Sequence, residues 1–160
     1  MIRIGQSSDI HPLVKNRPLI IGGVKIEYHL GLKGHSDADA LCHAIAEALI
    51  GALGLGDIGK HFPDTDKQYQ GISSLVLLSK VAVLLASEGY QIINIDSLII
   101  IEKPKLAGYI LQMRTNIAQA LGIDLALINV KATRAEGLSF IGREEGVMAQ
   151  AVVLIETKQR

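Results

Sequence analysis

Asp9 and His11, two residues apart near the start of the chain, and His43, inside a later apolar run, are the residues best suited to chemistry. One carboxylate and two imidazoles belong to the ligand set that Zn2+ prefers when a fourth position stays open. In an extended strand, side chains two apart point to the same face, so Asp9 and His11 can converge on one ion. A structural zinc site is normally closed by four ligands, commonly with cysteine; a three-ligand N/O set points to catalysis. Short D-x-H segments are common, and it is the glycine- and charge-rich surroundings that give this one weight.

His43 shares a helical face with Asp39 and Glu47, at i, i+4 and i+8. A lone His on a helix is more often a surface or satisfied core residue. Metal-bound imidazoles, however, commonly donate their second nitrogen to a carboxylate, so Asp39 or Glu47 is expected to orient His43. Gly34-His35-Ser36-Asp37-Ala38-Asp39 reads as a loop ending in helix N-cap residues, and a helix start flanked by His35 and Ser36 also suits an anion. Lys103-Pro104-Lys105 puts two cations at a strand end, and Glu136, after Lys131-Ala132-Thr133-Arg134, offers oxygen to a harder ion. Jointly these features point to phosphate ester or diphosphate chemistry.

The elements that must position these residues follow from pattern and composition. The 160 residues are 49% hydrophobic, which suits one domain over 1–160 with a sizeable core. Sixteen basic residues balance 16 acidic ones, which argues against a nucleic-acid partner. A single cysteine, Cys42, allows no intrachain disulfide. Signal-peptide layout and membrane-length apolar runs are both missing, so a cytoplasmic protein with no membrane partner is expected. Residues 1–9 alternate as a strand, and 19–26 reads as a hairpin turning at Gly22-Gly23. Helices are expected from the Asp39 region to about 53, over 74–87 ending at Gly89, and over 106–121 ending at Gly122. Strands are expected over 92–101, buried on both faces, and over 128–133 and 147–156. The expected fold is α+β, a two-layer sandwich of mixed sheet with helices on one face.

Read in order, these segments resemble the 2-C-methyl-D-erythritol 2,4-cyclodiphosphate synthases of the non-mevalonate isoprenoid pathway. The matching pieces are Asp9-Ile10-His11, Ile21-Gly22-Gly23-Val24, His35-Ser36-Asp37-Ala38-Asp39, His43, Gly56-Asp57-Ile58-Gly59-Lys60-His61-Phe62-Pro63-Asp64-Thr65-Asp66, Lys103-Pro104-Lys105, Asn129-Val130-Lys131-Ala132-Thr133, Glu136 and Gly142-Arg143-Glu144-Glu145-Gly146. They span essentially the whole chain, and the G-D-I-G-K-x-F-P-D-T-D run is highly specific.

The resemblance implies a homotrimer with active sites between subunits. It implies cyclisation of 4-diphosphocytidyl-2-C-methyl-D-erythritol 2-phosphate with release of CMP. Zn2+ would be bound by Asp9, His11 and His43, and Mg2+ or Mn2+ by Glu136 together with the diphosphate. His35 and Ser36 would hold the methylerythritol phosphate end, helped by Asp57, Ile58, Gly59, Phe62, Pro63, Asp64, Thr65 and Asp66. Ile101, Lys105, Leu106, Ala107, Ala132 and Thr133 would line the cytidine pocket. His35, Thr133 and Arg134 fall at the reacting centre, and Phe140 and Arg143 would join the substrate-binding residues. Arg143 and Glu145 would lie near the trimer axis and pair there, flanking a cavity that related enzymes use for isoprenoid diphosphates.

The chain departs from the family pattern at a few places. Ser7 and Ser8 stand where a glycine and an aromatic are usual, Glu47 replaces Asp, Ser139 replaces Gly and Arg134 replaces Thr. No metal ligand is lost. Two competing readings are a two-metal phosphatase that uses water, and a non-catalytic trimer that binds nucleotide.

Overall fold

In β1 (Ile2–Val14) alternate residues face inward, while Ile2, Ile4 and Ile10 between them are exposed. That period of two is the signature of a strand with one covered face. The computed structural model describes residues 1–63 and 65–158, so the expected substrate residue Asp64 lies outside the described residues. After β1 come β2 (Leu19–Ile21) and β3 (Val24–Ile26), turning at Gly22-Gly23 as the sequence predicts, and the short β4 (Gly31–Leu32). Then follow α1 (Ala40–Leu53), α2 (Ile58–His61), α3 (Ser74–Ser87), β5 (Tyr90–Ile100), α4 (Ile110–Leu121), β6 (Ile128–Thr133), α5 (Ser139–Gly142) and β7 (Gly146–Thr157).

The main sheet has the order β4-β1-β7-β5-β6. Its pairs are antiparallel except β5 with β6, which run parallel because α4 provides the crossover between them. The chain is therefore the mixed α+β protein expected. α1 packs over β1 and β7. Gly5 allows the closest approach, since a Cβ there would fall 1.9 Å from the Ala48 carbonyl oxygen. Among the described residues no helix is long and apolar enough to cross a membrane.

Three expectations need correction. β1 does not end at residue 9 but runs through Asp9 and His11 to Val14. Pro12 does not break it: it stays in register with Gly146 of β7, and its carbonyl accepts the Lys33 N–H at 3.0 Å. The helix expected from residue 106 starts at Ile110, after a turn that includes Gly108, a poor helix former; Leu106 is buried all the same. The apolar run of β5 is not buried on both faces. Ile95 and Ile99 are buried, whereas Leu98 and Ile100 are half-buried on the face that also carries Ile10 and Val152.

Candidate active site

β1 sends Asp9 and His11 toward α1, whose first turn brings His43 beside them. One ligand atom from each lies within 4.8 Å of the others. His11 Nδ1 is 2.8 Å and His43 Nδ1 is 3.4 Å from the same oxygen, Asp9 Oδ2. The His11 approach is short but not aligned as a hydrogen bond: Asp9 Oδ2 and His11 Nδ1 are buried without a hydrogen-bond partner. Buried polar atoms are nearly always paired, so two unpaired ones converging beside a third donor fit a cation. Burial pushes the Asp9 carboxyl up, but the adjoining His11 and His43 rings outweigh it and hold the group at about 2. Burial pushes the His43 imidazole down, and Asp9 more than offsets this, leaving it above its ordinary value. Gly34 closes the site, since a Cβ there would sit 3.0 Å from the His11 ring.

Neither Asp39 nor Glu47 orients His43, contrary to expectation. Asp39 is fully buried and accepts N–H bonds from Gly22 at 2.9 Å, Gly23 at 2.6 Å and Cys42 at 3.1 Å, capping α1 and clamping the β2–β3 turn to it. Glu47 accepts the Ser7 hydroxyl at 2.7 Å. Helical spacing placed both on the right side of α1, but backbone donors and a strand hydroxyl take them. The second nitrogen, His43 Nε2, instead faces Ser36 Oγ at 3.0 Å and Ser74 Oγ at 2.9 Å. Ser74 was missed. Ser73-Ser74 before an apolar run signals a helix start, but linear spacing gives no hint that this start meets the His35–Asp37 loop.

The two loops are joined directly. Gly71 N–H donates to the His35 carbonyl at 2.9 Å and Asp37 N–H to the Ile72 carbonyl at 3.1 Å. Beside them opens a cavity of about 370 Å3. Of the residues expected at the phosphate end, His35, Ser36, Ile58, Gly59, Phe62 and Pro63 line it with His11 and His43; Tyr69, Ile72 and Leu77 join them unforeseen. Asp57 and Asp66 do not line it. They accept the N–H groups of Lys60 at 2.9 Å and Gln68 at 3.0 Å as turn caps, and Thr65 is exposed outside the cavity.

A second cavity, about 380 Å3, lies at the ends of β5 and β6. Ile101, Lys105, Leu106, Ala107, Ala132, Thr133 and Arg134 all line it, and among the described residues none lines both cavities. Arg134 reaches to 3.6 Å from Glu136, both side chains being largely exposed. Among the described residues the only cluster of three metal-ligating groups is Asp9, His11 and His43, so Glu136 belongs to no such cluster. Phe140 lies outside both cavities, its ring against Gly146. Arg143 makes two 2.9 Å bonds to Glu145, the pairing expected.

Comparison with known proteins places this geometry. The chain matches the YgbB family over residues 2–156. A 2-C-methyl-D-erythritol 2,4-cyclodiphosphate synthase of Geobacillus sp. (strain WCH70) is 57% identical, over 99% of this chain and 100% of the relative. The bifunctional IspDF from Campylobacter jejuni superposes with a TM-score of 0.95 at 41% identity over 99% of this chain, which spans 43% of that longer protein. The IspF of Plasmodium falciparum, solved as a CDP complex, gives a TM-score of 0.86 at 34% identity over 99% of this chain and 97% of that one. Full-length likeness and a three-residue cluster able to hold a metal ion agree: the chain belongs to the YgbB family, alongside proteins named 2-C-methyl-D-erythritol 2,4-cyclodiphosphate synthase.

Proposed function

We propose that this chain cyclises 4-diphosphocytidyl-2-C-methyl-D-erythritol 2-phosphate to 2-C-methyl-D-erythritol 2,4-cyclodiphosphate with release of CMP. By its family it is an enzyme, of the lyase class. The observation that carries the reaction is the Asp9, His11 and His43 cluster, with its unpaired buried atoms, at the edge of a cavity lined by His35 and Ser36. The donor set fits Zn2+. When bound, the ion neutralises repulsion between the two phosphates and supplies Lewis acidity.

The chain's own groups do the positioning. His35 and Ser36 donate to phosphate oxygens from the mouth of α1. The 2-phosphate oxygen is already anionic and needs no general base. It attacks the β-phosphorus, and the bond from that phosphorus to the bridging oxygen breaks, so CMP leaves with the bridging oxygen. The Thr133 hydroxyl, the backbone at residue 134 and Lys105 face the diphosphate from the second cavity, and holding both ends together removes the flexibility of a highly charged substrate. Ile101, Leu106, Ala107 and Ala132 give the cytosine an apolar slot, and the CDP complex of the Plasmodium relative supports a cytidine ligand there. Glu136 would be the carboxylate that holds Mg2+ or Mn2+, and that ion would supply charge neutralisation at the diphosphate.

Two cavities that share no lining residue among those described support a site completed by a neighbouring copy, in a homotrimer. The exposed Ile2, Ile4, Ile10 and Val152 on the uncovered sheet face support assembly through that face. Arg143, paired with Glu145, is then the group nearest an axial cavity and the candidate anchor for an isoprenoid diphosphate. The test is to incubate purified protein with the cytidyl substrate, with and without chelator. CMP plus cyclic diphosphate, abolished by chelator, is expected; an uncyclised, water-derived product would make the chain a hydrolase instead.

A further inference from the structure

Ser74 fixes the direction of a hydrogen-bond chain that ends at the metal cluster. Its hydroxyl donates to Asp37 Oδ1, and a carboxylate can only accept. The Ser74 hydrogen is thereby committed, and what Oγ turns toward His43 Nε2, 2.9 Å away, is a lone pair. Two lone pairs facing each other at that distance repel, so Nε2 carries the proton. His43 Nδ1 then presents its own lone pair toward Asp9 and His11, the direction a cation requires.

The same proton constrains Ser36. Its Oγ lies 3.0 Å from His43 Nε2 and accepts the Ala38 N–H at 3.1 Å. The one Nε2–H is shared between Ser74 Oγ and Ser36 Oγ and Nε2 offers no lone pair, so the Ser36 hydrogen points away from the ring, and the adjoining space is the cavity lined by His35 and Gly59. The source of this order is rigid. Asp37 also accepts the backbone N–H groups of Ser74 at 3.0 Å and Asp39 at 3.2 Å, and Ser74 has no exposure to water that could replace its hydroxyl.

We propose that Ser74, oriented by Asp37, is a positioning residue that sets the His43 tautomer for metal binding and turns the Ser36 hydroxyl toward an anionic substrate oxygen. This rests on the metal-site reading above, and the experiment separates the two.

Zinc affinity is measured by chelator competition on the full-length zinc-loaded protein, with nitrogen-15 spectra of the His43 ring. His43→Ala should lose zinc outright. Ser74→Ala, with helicity checked by circular dichroism, should weaken zinc about 10- to 100-fold, and Asp37→Asn, which can donate to Ser74 and reverse the chain, by a similar factor. At a pH where the zinc-free ring is neutral, the wild-type spectrum should show the ring proton on Nε2, and Asp37→Asn should shift it toward Nδ1. Zinc retained in His43→Ala would overturn the metal site and this inference with it. Zinc lost in His43→Ala but bound by both other variants within about threefold of wild type would overturn the inference alone. So would a wild-type ring proton on Nδ1.

Discussion

The two cavities are nearly equal in volume, about 370 and 380 Å3, yet they are built on opposite principles. Beside the metal cluster, carboxylates hold the walls together: Asp39 ties α1 to the β2–β3 turn, and Asp37 ties the His35 loop to the start of α3. Side chains that would touch phosphate are thereby fixed before any ligand arrives. At the ends of β5 and β6 the wall is mostly apolar, its charged lining residues being Glu102, Lys105 and Arg134, and Arg134 and the nearby Glu136 have side chains 56% and 75% exposed. Chemistry on multiply charged phosphates demands preorganised dipoles, whereas a cytosine ring can be selected by shape and backbone contacts. Under the proposed function, the difference assigns reactivity to the first half and recognition to the second.

The strongest way to break that division is to separate the halves onto different chains. His11→Ala and Glu136→Ala proteins should each be nearly inactive. When co-folded, roughly one interface in four would hold both intact halves, so activity should return well above either parent. Mixed trimers that recover nothing would place both halves of the working site within one copy.

The metal side should also respond to pH with a definite sign. The folded-state value of His43 lies above its ordinary 6.5, so its pairing with Asp9 is fully present below 6.5 and is lost as pH rises through the raised value. Asp9 contributes above its ordinary 3.8, and that contribution is lost as pH falls toward 2. Zinc must displace the His43 proton, so its apparent affinity should fall roughly tenfold per pH unit below that raised value for the one proton displaced. Thermal melts should therefore show a larger zinc-induced rise at pH 8 than at pH 6. An equal rise at both would remove His43 from the ligand set.

The sequence reveals these regions unequally, for physical reasons. Asp9 and His11 are readable because strand periodicity fixes their common face, and Asp39 is readable as a cap because capping is local. The partners of His43 are not readable, because Ser74 approaches from a helix start over thirty positions away and helical spacing favoured Asp39 and Glu47. The extension of β1 through Pro12 depended on a carbonyl meeting Lys33, a long-range pairing that local propensity does not report. The open face of β5 is not readable either, because a continuous apolar run looks the same whether one face or both are covered.

A smaller effect is expected at Arg134, the departure that most tempts a catalytic interpretation. Its guanidinium is more than half exposed and its ionic neighbour, Glu136, is 3.6 Å away, a geometry in which an ion pair contributes little. Arg134→Thr should leave kcat and KM each within about threefold of the parent. A large rise in KM with kcat preserved would mean that Arg134 grips the phosphates and that the second cavity also depends on charge.

The smallest effect tests where strain is stored. Glu136, Ser139 and Glu144, all in the segment after β6, have positive φ, and on the metal side Ala38 does too. At φ +61° a side chain costs about 1–2 kcal/mol, which glycine would relieve, while glycine gives back about 0.4–1 kcal/mol by freeing the unfolded chain. Ser139 is exposed, and its hydroxyl accepts only a 3.3 Å bond from Ile141 N–H, so little else is lost. Ser139→Gly should thus stabilise by about 0.5 kcal/mol, raising Tm by about 1–2 °C. Ala38 has the same sign of φ but is fully buried, so Ala38→Gly also forfeits a buried methyl worth about 0.8 kcal/mol. It should come out neutral to destabilising. Paired calorimetric melts decide the matter: if both substitutions stabilise alike, backbone strain alone governs the two loops and the tighter packing assigned to the metal side is wrong.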